Sequence, residues 1–210
     1  MKILIISLLS VCGAINASSQ SMAELFIKMP DEMIVQLEEA WRKDLVDLYK
    51  SGKKANLENT MQGQSSLLQL TDDYMLLQST ERSTIELKRL PLVNNTYIIC
   101  MITTVYAPVA DSRVEFYTTE WQSLSADGLF DPVSEAWFPK DDADVSSYGF
   151  IDARIGKDMF LAKYSLDADN MNLTAEYTTP QYLDEESRNK IEVFLKDKPK
   201  IYEWKRSHFE

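Results

Sequence analysis

The stretch Tyr97-Ile98-Ile99-Cys100-Met101-Ile102-Thr103-Thr104-Val105-Tyr106 decides the fold of this chain. Its β-branched and apolar residues favour extended backbone. Successive side chains of a strand point to opposite faces, so an unbroken apolar run needs cover on both sides. Such a strand is expected inside a sheet, not at its edge. Cys100, in the middle of the run, is expected to be a buried, inert thiol, because no Lys, Arg or His within five residues favours the thiolate.

Period two continues outward from this run. Toward the N-terminus, 84–90 alternates, with Ile85 and Leu87 against Glu86 and Lys88, and Pro91 closes it. Before it, 66–70 and 74–79 are short strands divided by Thr71-Asp72-Asp73. Toward the C-terminus, 108–112 turns the chain into 113–119, which alternates through Val114, Phe116 and Thr118. Turns this short permit only antiparallel neighbours, since parallel pairing needs a crossover of about a dozen residues. Further on, 159–166 and 171–178 read as a hairpin and 201–204 as a last strand.

Helical spacing occurs in three places. Ser21-Met22-Ala23-Glu24 is a capping box, followed by Met22, Leu25, Phe26 and Met29 on one face until Pro30. Ile34, Leu37, Trp41, Leu45 and Leu48 form an apolar stripe that predicts an amphipathic helix over 34–51, stopped by Gly52, with Trp41 fully buried. Asp184 caps a short helix whose Ile191, Phe194 and Leu195 share a face, ended by Pro199. The expected class is therefore α+β: a mainly antiparallel β-sheet meander, with an N-terminal amphipathic helix and a short C-terminal helix packed on it. Residues 20–210 are expected to form a single domain.

The first residues point to export. Lys2 precedes the apolar run 3–11, and small residues follow at Gly13, Ala14, Ala17, Ser18 and Ser19. That order is the order of a secretory signal peptide over 1–19, with cleavage expected between Ala17 and Gln20. The run is too short to cross a bilayer as a helix. Cys12 offers an alternative, a lipidated cysteine at the end of a lipoprotein signal, although the bulky Val11 stands where a small residue is wanted. Either way the expected location is the periplasm, the outer membrane or the cell surface, with no transmembrane segment.

Charge and residue usage exclude several functions. The net charge is −11 and no basic stripe interrupts it, so nucleic acid is not an expected partner. One His, His208, and six Gly in all leave no material for Ser-His-Asp catalysis, a zinc site or a glycine-rich phosphate loop, and no metal or cofactor is expected. Asp167, Asp169 and Asn170 resemble the start of a calcium loop, but Met171 occupies a ligand position and the cluster reads as a solvated turn.

The segments Leu25-Phe26-Ile27-Lys28-Met29-Pro30-Asp31, Leu70-Thr71-Asp72-Asp73-Tyr74 and Asp111-Ser112-Arg113-Val114-Glu115-Phe116-Tyr117 resemble recurring segments of a Bacteroidales family of exported proteins catalogued as domain of unknown function 3256. The resemblance covers nearly the whole chain after the signal. It implies an exported protein of a Gram-negative cell and carries no functional residues with it.

Two functions of different kinds follow. The first is a non-enzymatic binding or interaction module of the cell envelope, with a protein or glycan partner. Its expected ligand-binding residues are the aromatics of the irregular middle region, Trp121, Phe130, Trp137, Phe138 and Tyr148. The alternative is a glycosidase-like hydrolase using two carboxylates, drawn from Asp72, Asp73, Asp111, Glu115 and the acidic run Lys140-Asp141-Asp142-Ala143-Asp144.

Overall fold

A computed structural model describes residues 20–154 and 159–210, so the expected export signal and Cys12 lie outside the described residues. The chain opens with helices α1 (Met22–Ile27) and α2 (Glu39–Lys50). Seven strands follow: β1 (Asn56–Glu58), β2 (Gln64–Leu70), β3 (Tyr74–Thr80), β4 (Ser83–Pro91), β5 (Tyr97–Tyr106), β6 (Ala110–Thr118) and β7 (Ser123–Leu124). After helix α3 (Tyr148–Arg154) come β8 (Ala162–Leu166), β9 (Asn172–Tyr177), α4 (Thr179–Tyr182), α5 (Glu185–Glu192), β10 (Lys200–Lys205) and β11 (His208–Phe209). Strands β1 to β7 form one antiparallel sheet in chain order, and β8 to β11 a second sheet in the order β11-β10-β9-β8. The α+β class and the antiparallel meander are as the sequence predicts.

β5 lies inside the first sheet, paired along its length with β4 and β6. Its two faces belong to two cores. Ile99 and Met101 join α1 and α2 through Leu25, Phe26 and Leu45. Ile98, Cys100 and Ile102 face the second sheet with Phe116, Tyr164 and Leu173. The first sheet is thus the middle of three layers, which is why its central strand is apolar on both sides. Cys100 is fully buried, and burial raises its thiol pKa far above the ordinary value. Among the described residues no helix is long and apolar enough to cross a membrane.

The N-terminal helices depart from expectation in one respect. The capping box of α1 is present, with Ser21 Oγ accepting from Glu24 N at 3.3 Å and Glu24 Oε2 from Ser21 N at 2.9 Å. The helix expected over 34–51 begins only at Glu39, and Ile34 and Leu37 are buried from the linker before it. The buried face of α2 then runs through Arg42, Leu45 and Val46, and Trp41 is only partly buried. Truncating Trp41 should therefore cost less than the about 3–5 kcal/mol of a fully buried aromatic. Arg42, 1% exposed, takes the deep position because four acceptors wait for its guanidinium. Ile27 O accepts at 3.1 and 3.3 Å, Asp31 Oδ1 at 2.8 Å, and the Met29 and Leu37 carbonyls also accept. Gly52, at φ 72°, ends α2 as the sequence suggests, its left-handed backbone letting Lys53 N reach Leu48 O at 3.0 Å.

The C-terminal strands, read in sequence as a hairpin and a last strand, build a separate sheet of their own. His208 lies in β11, whose Phe209 is buried against Trp204 and Phe116. One edge of this sheet is β8, and the N–H groups it turns away from β9 are satisfied by side chains of the first sheet. Ala162 N donates to Asp111 Oδ1 at 3.3 Å, Tyr164 N to Ser112 Oγ at 3.0 Å and Leu166 N to Glu86 Oε2 at 2.9 Å. An edge that would otherwise invite another strand is closed.

Glu86 is 6% exposed and also accepts from Tyr74 Oη at 3.1 Å. Burial raises its pKa, partly offset by those two hydrogen bonds and by Lys163. A carboxyl whose folded pKa exceeds its unfolded value contributes fully below the unfolded value, and that contribution is lost as pH rises through the folded one. Glu86→Gln keeps an acceptor and removes the charge. The variant should therefore gain in thermal stability relative to the parent as pH rises from about 4.5 to 8. Parallel melting curves across that range would contradict a buried, destabilising Glu86 charge.

Candidate functional site

The irregular segment 135–142 crosses the end of the second sheet as a strap. It starts with the short 3-10 turn Glu135–Trp137 and is then stitched to the end of α5. Pro139 and Leu195 form a bridge, with Lys140 N donating to Phe194 O and Lys196 N to Phe138 O, each at 2.8 Å. Asp184 holds the start of α5 by accepting from Ser187 N at 3.0 Å. Helix α3 packs on α5 through Phe150, Ala153 and Ile191, with the Phe150 and Phe194 rings edge-on at 5.5 Å.

Aromatic side chains line the underside of the strap. Tyr177, at the end of β9, stacks with Phe138 at 4.9 Å and with Phe160 at 5.5 Å between centroids. Trp137 meets Phe138 edge-on, and the Lys196 ammonium lies 4.5 Å from the Trp137 centroid. Glu135 ties these parts together, its Oε2 2.7 Å from Arg154 and its Oε1 accepting from Tyr177 Oη at 3.1 Å. Burial, and next the Glu135 charge, push the Tyr177 pKa up to about 12, so its hydroxyl stays a donor at neutral pH.

Three depressions adjoin around the strap. One of about 240 Å³ has apolar walls from Pro139, Val145, Phe150, Ile191 and Leu195, with Glu135 and Arg154 among its polar lining residues. A second, of about 410 Å³, shares Tyr177 and Leu195 with the first and adds Phe138, Pro180, Glu176 and Glu192. A third, of about 520 Å³, shares Lys196, Asp197 and Lys198 with the second and adds Trp137 and Asp142. Together they make a branched trough. Around it Val145, Tyr148, Ile151 and Val193 are each more than half exposed.

The five aromatics expected to bind a ligand are not brought together. Trp121 is buried on the helix side of the first sheet, where its Nε1 donates to Leu25 O at 3.0 Å. Phe130 is buried between the two sheets, in ring contact with Phe116, Tyr164, Tyr202 and Phe209. Phe138 is also buried, yet it lines the trough from beneath. Trp137 is half-buried in the third depression, and Tyr148 stands out from α3, 83% exposed. Sequence reasoning missed Tyr177, Leu195 and Lys196. The apolar run Val193-Phe194-Leu195 past the end of α5 was the one signal that pointed to them.

The carboxylates offered for hydrolysis are dispersed as well. Asp73 pairs with Lys88 at 3.1 Å at one end of the first sheet, whereas Asp111, in register with Val105, lies at the other. Asp72 accepts Met22 N through its carbonyl, and Glu115 pairs with Arg113 at 2.9 Å. In the acidic turns, Asp144 accepts from Ser146 and Asp167 from Asp169 and Asn170, which lowers both pKa values as expected of solvated turn residues. Among the described residues no group of three or more His, Cys, Asp or Glu is placed to hold a metal ion.

A family model described as "Protein of unknown function (DUF3256)" matches residues 14–209. The chain is also similar to a solved domain of an uncharacterized protein from Porphyromonas gingivalis W83. The two are 27% identical with a TM-score of 0.80, over 89% of this chain and 96% of that one. No curated protein matches the chain.

Proposed function

Since the chain belongs to the DUF3256 family, whose description assigns no activity, we propose that it is exported to the cell envelope and works there as a binding module. Its trough around the strap receives a segment of a partner protein. The lysine-led apolar N-terminus supports export. The observation that carries the binding reading is the trough itself: three adjoining depressions that share walls, bordered by apolar side chains more than half exposed. Exposed apolar surface of this kind around a concave site marks a contact region.

A polypeptide fits the trough better than a glycan. Sugars need open ring faces, but Phe138, Tyr177 and Phe160 stack among themselves and Lys196 covers Trp137. A protein segment needs apolar pockets with hydrogen-bonding groups beside them, and the trough supplies both.

Site-specific photocrosslinking in the native host tests this reading. A photoreactive residue at Val145 or Val193 should yield a discrete adduct with one envelope protein, while the exposed positions Val35 and Leu68 should not. Equal adducts at all four positions, or adducts only at the controls, would sink it. Val145→Asn should weaken the same association at least about tenfold. Because Val145 is exposed, stability should change by no more than about 0.5 kcal/mol.

A further inference from the structure

Resting on that reading, we infer that the occupant of the trough is a basic segment, one large apolar side chain flanked by Lys or Arg. Three of the four lining cations are committed to the protein itself, and only Lys198 has no ion pair or side-chain hydrogen bond among the described residues. Arg154 pairs with Glu135 at 2.7 Å, Lys196 with Asp141 at 2.9 Å, and Lys140 Nζ donates to Val193 O at 2.8 Å. The lining carboxylates Asp142, Glu176, Glu192 and Asp197 have no ion pair or side-chain hydrogen bond among the described residues. They belong to the second and third depressions, next to the 240 Å³ pocket, whose walls are mainly apolar and whose charged lining residues Glu135 and Arg154 pair with each other.

This arrangement reads as a pattern. The apolar pocket is sized for a Leu, Met or Phe side chain, the anchor that dominates binding energy at such sites. The partnerless carboxylates on the adjoining walls then accept ammonium or guanidinium groups two to four residues away along an extended chain, each residue advancing about 3.3 Å. The net charge of −11 adds long-range attraction for a basic partner and repels an acidic one.

The probe is a random peptide library displayed on phage and panned against the chain from residue 20 onward, followed by titration of the enriched peptides as synthetic, labelled molecules. The expected result is a consensus with one large apolar residue and flanking Lys or Arg. Its affinity should fall about tenfold or more from low to physiological salt. Glu176→Lys with Glu192→Lys should weaken it at least about tenfold, and so should the uncharged change Val145→Asn. If the consensus is neutral or acidic, or the charge reversals leave affinity unchanged while Val145→Asn still weakens it, the trough binds peptides but the basic-partner inference is overturned. If no peptide is enriched, or Val145→Asn has no effect, the binding reading fails with it.

Discussion

Arg42→Met should lower the unfolding free energy by about 3–5 kcal/mol, close to the largest effect of any single change in the N-terminal layer. The guanidinium is buried beneath α2 and gathers the carbonyls of Ile27, Met29 and Leu37 together with Asp31. Those carbonyls belong to the end of α1 and the linker that follows, where no helix continues to satisfy them. Methionine fills much of the volume but leaves the acceptors buried and empty, and each such group costs about 1–3 kcal/mol. Arg42→Lys keeps the charge but offers a point donor in place of a planar fork, so an intermediate loss is expected. Urea unfolding of the three proteins decides it. A Met variant as stable as the parent would mean that the carbonyls find other partners.

Phe130→Ala should cost about 3–5 kcal/mol, the range for a fully buried aromatic. The ring touches Phe116, Tyr164, Tyr202 and Phe209, so its removal opens a cavity bordered by both sheets. Those neighbours are anchored from several strands and cannot all move inward. A loss under about 1 kcal/mol, with altered binding of a partner, would return Phe130 to the ligand-contacting role that its place in an irregular segment suggests. Trp137→Ala is the contrast: the ring is half-buried in the trough, and its loss should be felt more in binding than in melting.

What could be read in the sequence follows from periodicity. The meander was legible because β4 and β6 alternate and short turns separate the strands, and β5 announced a layer on either side by being apolar on both. What forms the second layer was not legible. Its strands are short and are separated from the meander by a long stretch that holds no strand among the described residues, and β8 is held to the first sheet by Asp111, Ser112 and Glu86, which look like surface residues in sequence.

Arg42 was missed for a related reason. An arginine in a helix reads as solvent-facing, and only the carbonyls of a distant segment make its burial favourable. Trp121 and Phe130 lie away from the trough for the same reason, whereas Trp137 and Phe138 line it. In irregular chain, burial has no period, so Trp121 and Phe130 look no different from Tyr148. Trp121 even adopts a left-handed φ of 63°, held there by its buried indole bond to Leu25 O. The trough depends on the long-range bridge between Pro139 and Leu195, which leaves no local trace.

The central claim is that contact with a partner occurs at the strap. Hydrogen–deuterium exchange of the purified protein, alone and with the protein recovered in the photocrosslinked adduct, tests it most directly. Slowed exchange confined to residues 135–154 and 176–199, with the α1–α2 layer and β1 to β3 unchanged, is the predicted result. Protection on the helix layer or along the β1 edge, with the strap exchanging at its free rate, would contradict it.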